Sequence, residues 1–284
     1  MKTIKAMHKA SYEPIADLIT YRAMPTDHFP MNVLDPFIFL NHHGRQEYLP
    51  HNQGLPFGPH PHRGFETVTF IIEGDLTHKD SSGSESVISE GGVQWMTAGS
   101  GLIHAEISSE EFKKKGGPLE ILQLWVNLPA KLKMTKPHYK GLQQHEIPVI
   151  NADNGKVTIH VVSGSWNGTQ GAFKPLTDIH LARIDFKEGG KYNITIPQDK
   201  NILLYIVRGE VIVNGDHAHE HHIVEFNHDG QMIELKATTN AIILFGYATP
   251  FREPFMAYGP FVMNTREEIM KAYEEYHAGG FGKS

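Results

Sequence analysis

The sequence has no cysteine. That excludes disulfides, thiolate nucleophiles and sulfur-rich metal sites, and it gives no sign of an oxidising compartment. Long apolar runs are missing as well: nowhere does the chain go the roughly 18 residues of a membrane helix without a charge or a strongly polar group. The opening MKTIKAMHKASYEP has no apolar stretch of signal-peptide length, so a cytoplasmic protein is expected. Positive charge is also short. Lys and Arg number 26 against 32 Asp and Glu, and the formal charge of -6 argues against a nucleic-acid surface. The one basic cluster, Lys113-Lys114-Lys115 before Gly116-Gly117, reads as a solvated loop.

Glycine (27), proline (17) and, unusually, histidine (19) are plentiful. Segments rich in β-branched, aromatic and aliphatic residues recur: Glu66 to Ile72, Leu119 to Leu128, Val157 to Val162 and Ile202 to Val213. Turn signals separate them, among them Glu73-Gly74-Asp75, Glu90-Gly91-Gly92, Asp153-Asn154-Gly155 and Asn214-Gly215-Asp216. Helix is expected only near the end, where Thr265-Arg266-Glu267-Glu268 reads as a capping box. It continues over Ile269 to His277 and stops at Gly279-Gly280. Many short strands with little helix indicate an all-β sandwich or barrel.

The chain also repeats itself. Phe70-Ile71-Ile72-Glu73-Gly74-Asp75-Leu76 aligns with Tyr205-Ile206-Val207-Arg208-Gly209-Glu210-Val211, an offset near half the chain length. Two similar barrels in tandem are expected, with the polar, proline-punctuated Pro129 to Ile150 as the join. The expected division is 1–135, 136–264 and a C-terminal helix and tail, 265–284.

Two clusters carry chemistry. In Gly58-Pro59-His60-Pro61-His62-Arg63-Gly64-Phe65-Glu66, an extended backbone projects His60 and His62 to one face, and Glu66 follows if the strand stays regular. In Gly99-Ser100-Gly101-Leu102-Ile103-His104-Ala105-Glu106, His104 and Glu106 form a second pair at the same spacing. Imidazoles with a carboxylate suit one divalent ion: Fe, Mn, Ni, Cu or Zn. Around a six-coordinate ion the four leave two positions for water, O₂ or a chelating substrate, whereas a tetrahedral zinc would be closed.

The stretches HPHRGFETVTF…EG, QWMTAGSGLIHAE and LQLWVNLP, with the closing EP…GPFVMNTREEI…GGFG, resemble the pirin family of the cupin superfamily. The resemblance covers most of the chain. It implies two tandem cupin-type antiparallel β-barrels, a bicupin, with a short C-terminal helix. It also implies one metal, usually iron, in the N-terminal barrel, held by His60, His62, His104 and Glu106. The repeat offset sets Thr195, Pro197 and Asn201 opposite His60, His62 and Glu66, so the second barrel has lost the ligand chemistry and is expected to be structural.

Glu66 is open to three roles: a fifth ligand, a residue that orients a ligand, or a charge at the pocket mouth; the second is preferred. Gln123 is a candidate to reach the pocket, Trp125 to line it or belong to the core, and Phe65, Phe70 and Met96 to line it or simply pack. The run His217-Ala218-His219-Glu220-His221-His222 follows a hairpin signal and reads as an exposed loop tip that picks up metal adventitiously.

The activity that the resemblance implies is a metal-dependent dioxygenase acting on a flavonol such as quercetin with O₂ and releasing carbon monoxide. Fe(II) is the first choice of metal, and Glu106 or Glu66 is the catalytic base. The alternative is a redox-sensing regulator of a partner protein, though no exposed apolar stripe or strong charge patch marks a surface for one. A monomer is expected.

Overall fold

The computed structural model describes residues 1–282. Its chain is mostly strand and packs as two units, each built from one seven-stranded and one four-stranded antiparallel sheet with a further two-stranded one. In the first unit the larger sheet runs His138–Leu142, Val93–Thr97, Phe65–Glu73, Gly117–Asn127, Phe37–Tyr48, Thr20–Met24 and Ser11–Tyr12. The smaller runs Phe57–His62, Leu102–Ile107, Asp75–Asp80 and Glu85–Ser89. In the second unit the larger sheet runs Ile4–Lys9, His222–Phe226, Asn201–Arg208, Ala241–Ala248, Ile179–Phe186, Val157–Ser163 and Val149–Ala152. The smaller runs Lys191–Thr195, Met232–Ala237, Glu210–Val213 and Asp216–His219.

The repeat is therefore architectural. Phe65–Glu73 and Asp75–Asp80 have Asn201–Arg208 and Glu210–Val213 as counterparts. The interiors differ. Ile159, Ala182, Ile202, Leu204, Ile206, Val211, Val224, Ile243 and Phe245 are among the buried apolar residues that fill the second barrel. At the repeat offset, Leu204 stands where the first barrel has the polar Thr69.

The packing units are not contiguous in sequence. Met1–Ser11 and Arg22–Phe37 belong with His145–Pro250, whereas Tyr12–Tyr21 and the segment from Phe251 onward belong with Ile38–Gln144. These bounds differ from an expected division at 135 and 264: Ile4–Lys9 pairs as an edge strand with His222–Phe226, which carries the N-terminus to the second unit, and Phe261 and Val262 bond to Arg63, which carries the segment from Phe251 to the first. The break between Gln144 and His145 lies inside the expected join.

The C-terminal helix is Arg266–His277, and both halves of its capping box are made: Thr265 Oγ1 accepts from Glu268 N–H and Glu268 Oε2 accepts from Thr265 N–H. The basic run is not a loop. Lys113 to Lys115 form the last turn of a short helix, Glu110–Lys115, capped by Ser109 and paired back to Glu110 and Glu111. Of the histidine run, Glu220 and His221 form a turn and the rest is strand. Asp216–His219 is a strand, and exposed His217 and His219 bracket Glu210 at 2.6 and 2.9 Å. No helix among the described residues is long and apolar enough to cross a membrane.

Candidate metal centre

His60 and His62 close one strand of the smaller sheet, and His104 lies on the adjacent strand directly across from His60. Alternation puts all three side chains on one face. Their nearest ligand atoms lie within 4.8 Å of one another, the one such group of three among the described residues. Ring centroids are 4.4 Å apart for His60 and His104 and 4.9 Å for His62 and His104.

The tautomers follow from the partners. A carbonyl oxygen only accepts, so His60 Nδ1–H donates to Gly58 O (2.7 Å) and His62 Nδ1–H donates to Pro260 O (3.2 Å). Each ring then presents Nε2 as a lone pair. His62 Nε2 and both ring nitrogens of His104 are buried without a hydrogen-bond partner. Buried polar atoms without partners are costly, and several converging on one point are what a cation would satisfy. Burial lowers the pKa of all three, with the neighbouring imidazoles adding to it for His62, which falls to about 3, and for His104. The rings are therefore neutral at ordinary pH, the form a metal needs.

Glu106 shares a strand face with His104 but lies outside the histidine group. Its carboxylate is gripped from the larger sheet. Gln94, Thr69 and Gln123 sit in one row across three adjacent strands, and all three donate to it. Thr69 Oγ1 (3.1 Å) and Gln94 Nε2 donate to Oε1, and Gln123 Nε2 donates to Oε2. Each amide is itself oriented. Tyr139 O–H donates to Gln94 Oε1 at 3.0 Å, and Trp125 Nε1–H donates to Gln123 Oε1 at 3.4 Å. A carboxylate has about four acceptor positions, so one on Oε2 remains for an ion. Burial raises Glu106 to about 7 despite these donors. The donor set fits one divalent transition metal.

Glu66 is elsewhere. Thr69 and Gln94 mark the inner face of their strands, so Glu66, Trp95 and Thr97 occupy the other face. There Thr97 Oγ1 donates to Glu66 at 2.7 Å. The expectation that Glu66 shares the parity of the histidines fails because Gly64, at φ +89°, ends the first strand before the next begins. Phe70 is on that same outer face and is not a lining residue; Phe65 and Met96 are on the inner one. Trp125 is half-buried beside His62 (5.3 Å) and lies against Phe39 (4.4 Å) and Phe65 (4.3 Å).

Thr69, Gln94, Tyr139 and the Pro260 carbonyl were not singled out in the sequence. A usable signal existed only for Gln94, a polar residue inside the otherwise apolar run from Val93 to Met96. His78 is also close, 5.5 Å from His104, but is turned to Asp80 (2.8 Å) and stacked on Tyr139.

Two barrels of this topology, with a histidine cluster in the first and an apolar fill in the second, define a bicupin with a single candidate metal centre. The chain belongs to the pirin family: the pirin model matches residues 18–126 and the pirin C-terminal cupin domain matches 181–282. A Pseudomonas aeruginosa protein with a provisional quercetin 2,3-dioxygenase name is 34% identical over 94% of this chain and 92% of its own length. The crystal structure of a quercetin 2,3-dioxygenase from Acinetobacter baumannii is 33% identical, covers 100% of this chain and 99% of its own, and superposes with a TM-score of 0.94. A bacterial pirin from Escherichia coli in complex with nickel(II), 20% identical, covers 86% of this chain and 99% of its own with a TM-score of 0.67, which shows the fold alone.

Proposed function

We propose that this pirin holds one divalent metal ion through His60, His62, His104 and Glu106 and uses it to open a flavonol such as quercetin with O₂, releasing carbon monoxide. Fe(II) is the first choice; nickel, manganese, copper and zinc are chemically admissible for this donor set. The observation that carries the reading is the cluster of three neutral imidazoles, with His62 Nε2 and both His104 nitrogens buried without partners, next to a half-buried indole. The bound ion supplies a Lewis acid for the 3-hydroxy-4-keto edge of the substrate.

The remaining work falls to the chain. Trp125, packed with Phe39 and Phe65, forms an aromatic wall beside His62 against which a flat ring can lie with its oxygenated edge toward the histidines. The apolar surroundings limit water at the reacting edge. Of the two carboxylates considered as base, only Glu106 shares a strand face with a histidine of the cluster. The Oε2 position that would meet the ion is also the one that would accept the hydroxyl proton, so Glu106 would take the two roles in turn. The names of the Pseudomonas and Acinetobacter relatives support the same substrate class.

The test is O₂ uptake and carbon monoxide release on adding quercetin to iron-, nickel- or manganese-loaded protein, with His62→Ala as control. Turnover that disappears in the control is expected. No turnover with any metal, in protein holding one ion per chain, would overturn quercetin as the substrate.

A further inference from the structure

The two ligand segments share a neighbour from the far end of the chain. Besides Pro260 O on His62 Nδ1, Val262 N–H donates to Arg63 O at 3.0 Å, and Arg63 forms a parallel bridge with Phe261. Arg63, itself buried, is the hub. Its Nη2 meets Glu275 Oε2 at 2.5 Å, its guanidinium lies 4.5 Å over the Phe281 ring, and its Nε donates to Ser100 O at 2.8 Å in the second ligand segment. That second segment is also held directly. Ser81 Oγ donates to Phe281 O (2.7 Å) and accepts from Ile103 N–H (3.1 Å), and Ile103 packs with Phe261 and Phe281.

Both segments are shaped for this neighbour by glycine. A Cβ on Gly64 would sit 2.0 Å from Val262 O, and one on Gly101 would sit 2.7 Å from the Phe281 ring. Each also has a positive φ that side chains disfavour, +89° and +121°. A segment that only covered apolar surface would need neither a buried guanidinium nor a carbonyl aimed at an imidazole nitrogen, since each is costly to bury unless paired.

We propose that the C-terminal arm, from Phe251 onward, is a positioning element of the metal centre: Pro260 sets the tautomer and angle of His62, and Glu275, acting through Arg63, latches the arm across both ligand segments. The inference rests on the reading that the histidines hold an ion. Coupling of this kind is reciprocal, so ion binding tightens the arm and loosening the arm weakens the ion.

The experiment is hydrogen exchange on the intact protein, metal-free and Ni(II)-loaded. It is paired with Ni(II) dissociation constants from chelator competition for wild type, Glu275→Gln, Phe281→Ala and Glu274→Gln, the last an exposed position on the same helix. Nickel should slow exchange at the Val262 amide about tenfold or more. Glu275→Gln and Phe281→Ala should each raise the dissociation constant about tenfold, the lower end for partners that orient a ligand, with Glu274→Gln unchanged. Equal exchange at Val262 with and without nickel in wild type overturns the proposal, and that comparison stands even if a variant fails to fold. So do folded Glu275→Gln and Phe281→Ala variants that bind nickel as wild type does. A wild-type protein that binds no nickel, iron or manganese overturns the metal reading itself, and this inference with it.

Discussion

Glu66 and Thr69 stand on one strand and serve opposite faces of it: Thr69 Oγ1 donates to Glu106 at 3.1 Å, while Glu66 accepts from Thr97 at 2.7 Å. Glu66 and Glu106, both buried, are thereby separated by a sheet, and of the two only Glu106 shares a strand face with a histidine of the cluster. Burial is the main cause in both cases of a carboxyl raised to about 7.

For Glu66 this sets a pH dependence. A folded-state pKa of about 7 against an ordinary 4.5 means that the folded protein holds the proton more tightly. Glu66 therefore costs stability as pH rises from about 4.5 to about 7, on the order of 3 kcal/mol in all. Glu66→Gln should remove that slope in urea unfolding at pH 5 and pH 8 while leaving one metal ion per chain. Loss of the ion in this variant would mean that Glu66 belongs to the centre.

Glu106 predicts proton release. Below about 7 the metal-free carboxyl is protonated, and it must lose that proton to become a ligand. Calorimetric titration in buffers of different ionisation enthalpy should find about one proton released per ion at pH 6 and almost none at pH 8. Affinity should fall about tenfold per pH unit below 7, and Glu106→Gln should abolish the dependence.

Tyr139 fixes which way the Gln94 amide points. Burial raises its hydroxyl to about 12, so it stays a donor well above neutral pH. Tyr139→Phe leaves Gln94 Oε1 buried without that donor, at a cost of about 1–3 kcal/mol in chemical denaturation. It should also weaken metal binding by freeing the amide to turn away from Glu106. Unchanged affinity would confine Tyr139 to packing.

Trp125→Ala should separate substrate from metal. Loss of this aromatic wall should raise KM for quercetin about tenfold in protein kept saturated with metal, the saturation offsetting the loss of the indole N–H that orients Gln123. A fall in kcat with KM unchanged would instead place the indole's contribution in the transition state.

The histidine cluster was legible because it depends on short-range geometry: alternation along a strand puts His60 with His62, and His104 with Glu106. The same rule misplaced Glu66, since a single positive-φ glycine at Gly64 breaks the alternation it relies on. The repeat was legible because both copies keep the strand–Gly–strand hairpin at Gly74 and Gly209. The grip on Glu106 was legible only at Gln123, since Thr69 and Gln94 join it only through pairing of three strands. The exchange of chain ends was hidden for the same reason: nothing local in Ile4–Lys9 names His222–Phe226 as its partner, and nothing near Arg63 names Phe261.

X-ray absorption spectroscopy on protein reconstituted with one equivalent of Fe(II) or Ni(II) reads the donor set at the ion. Three imidazole nitrogens and one carboxylate oxygen are expected at the ion, with one imidazole lost in each of His60→Ala, His62→Ala and His104→Ala. An ion with fewer than three imidazoles in wild type, or one unchanged in His62→Ala, would contradict this donor set.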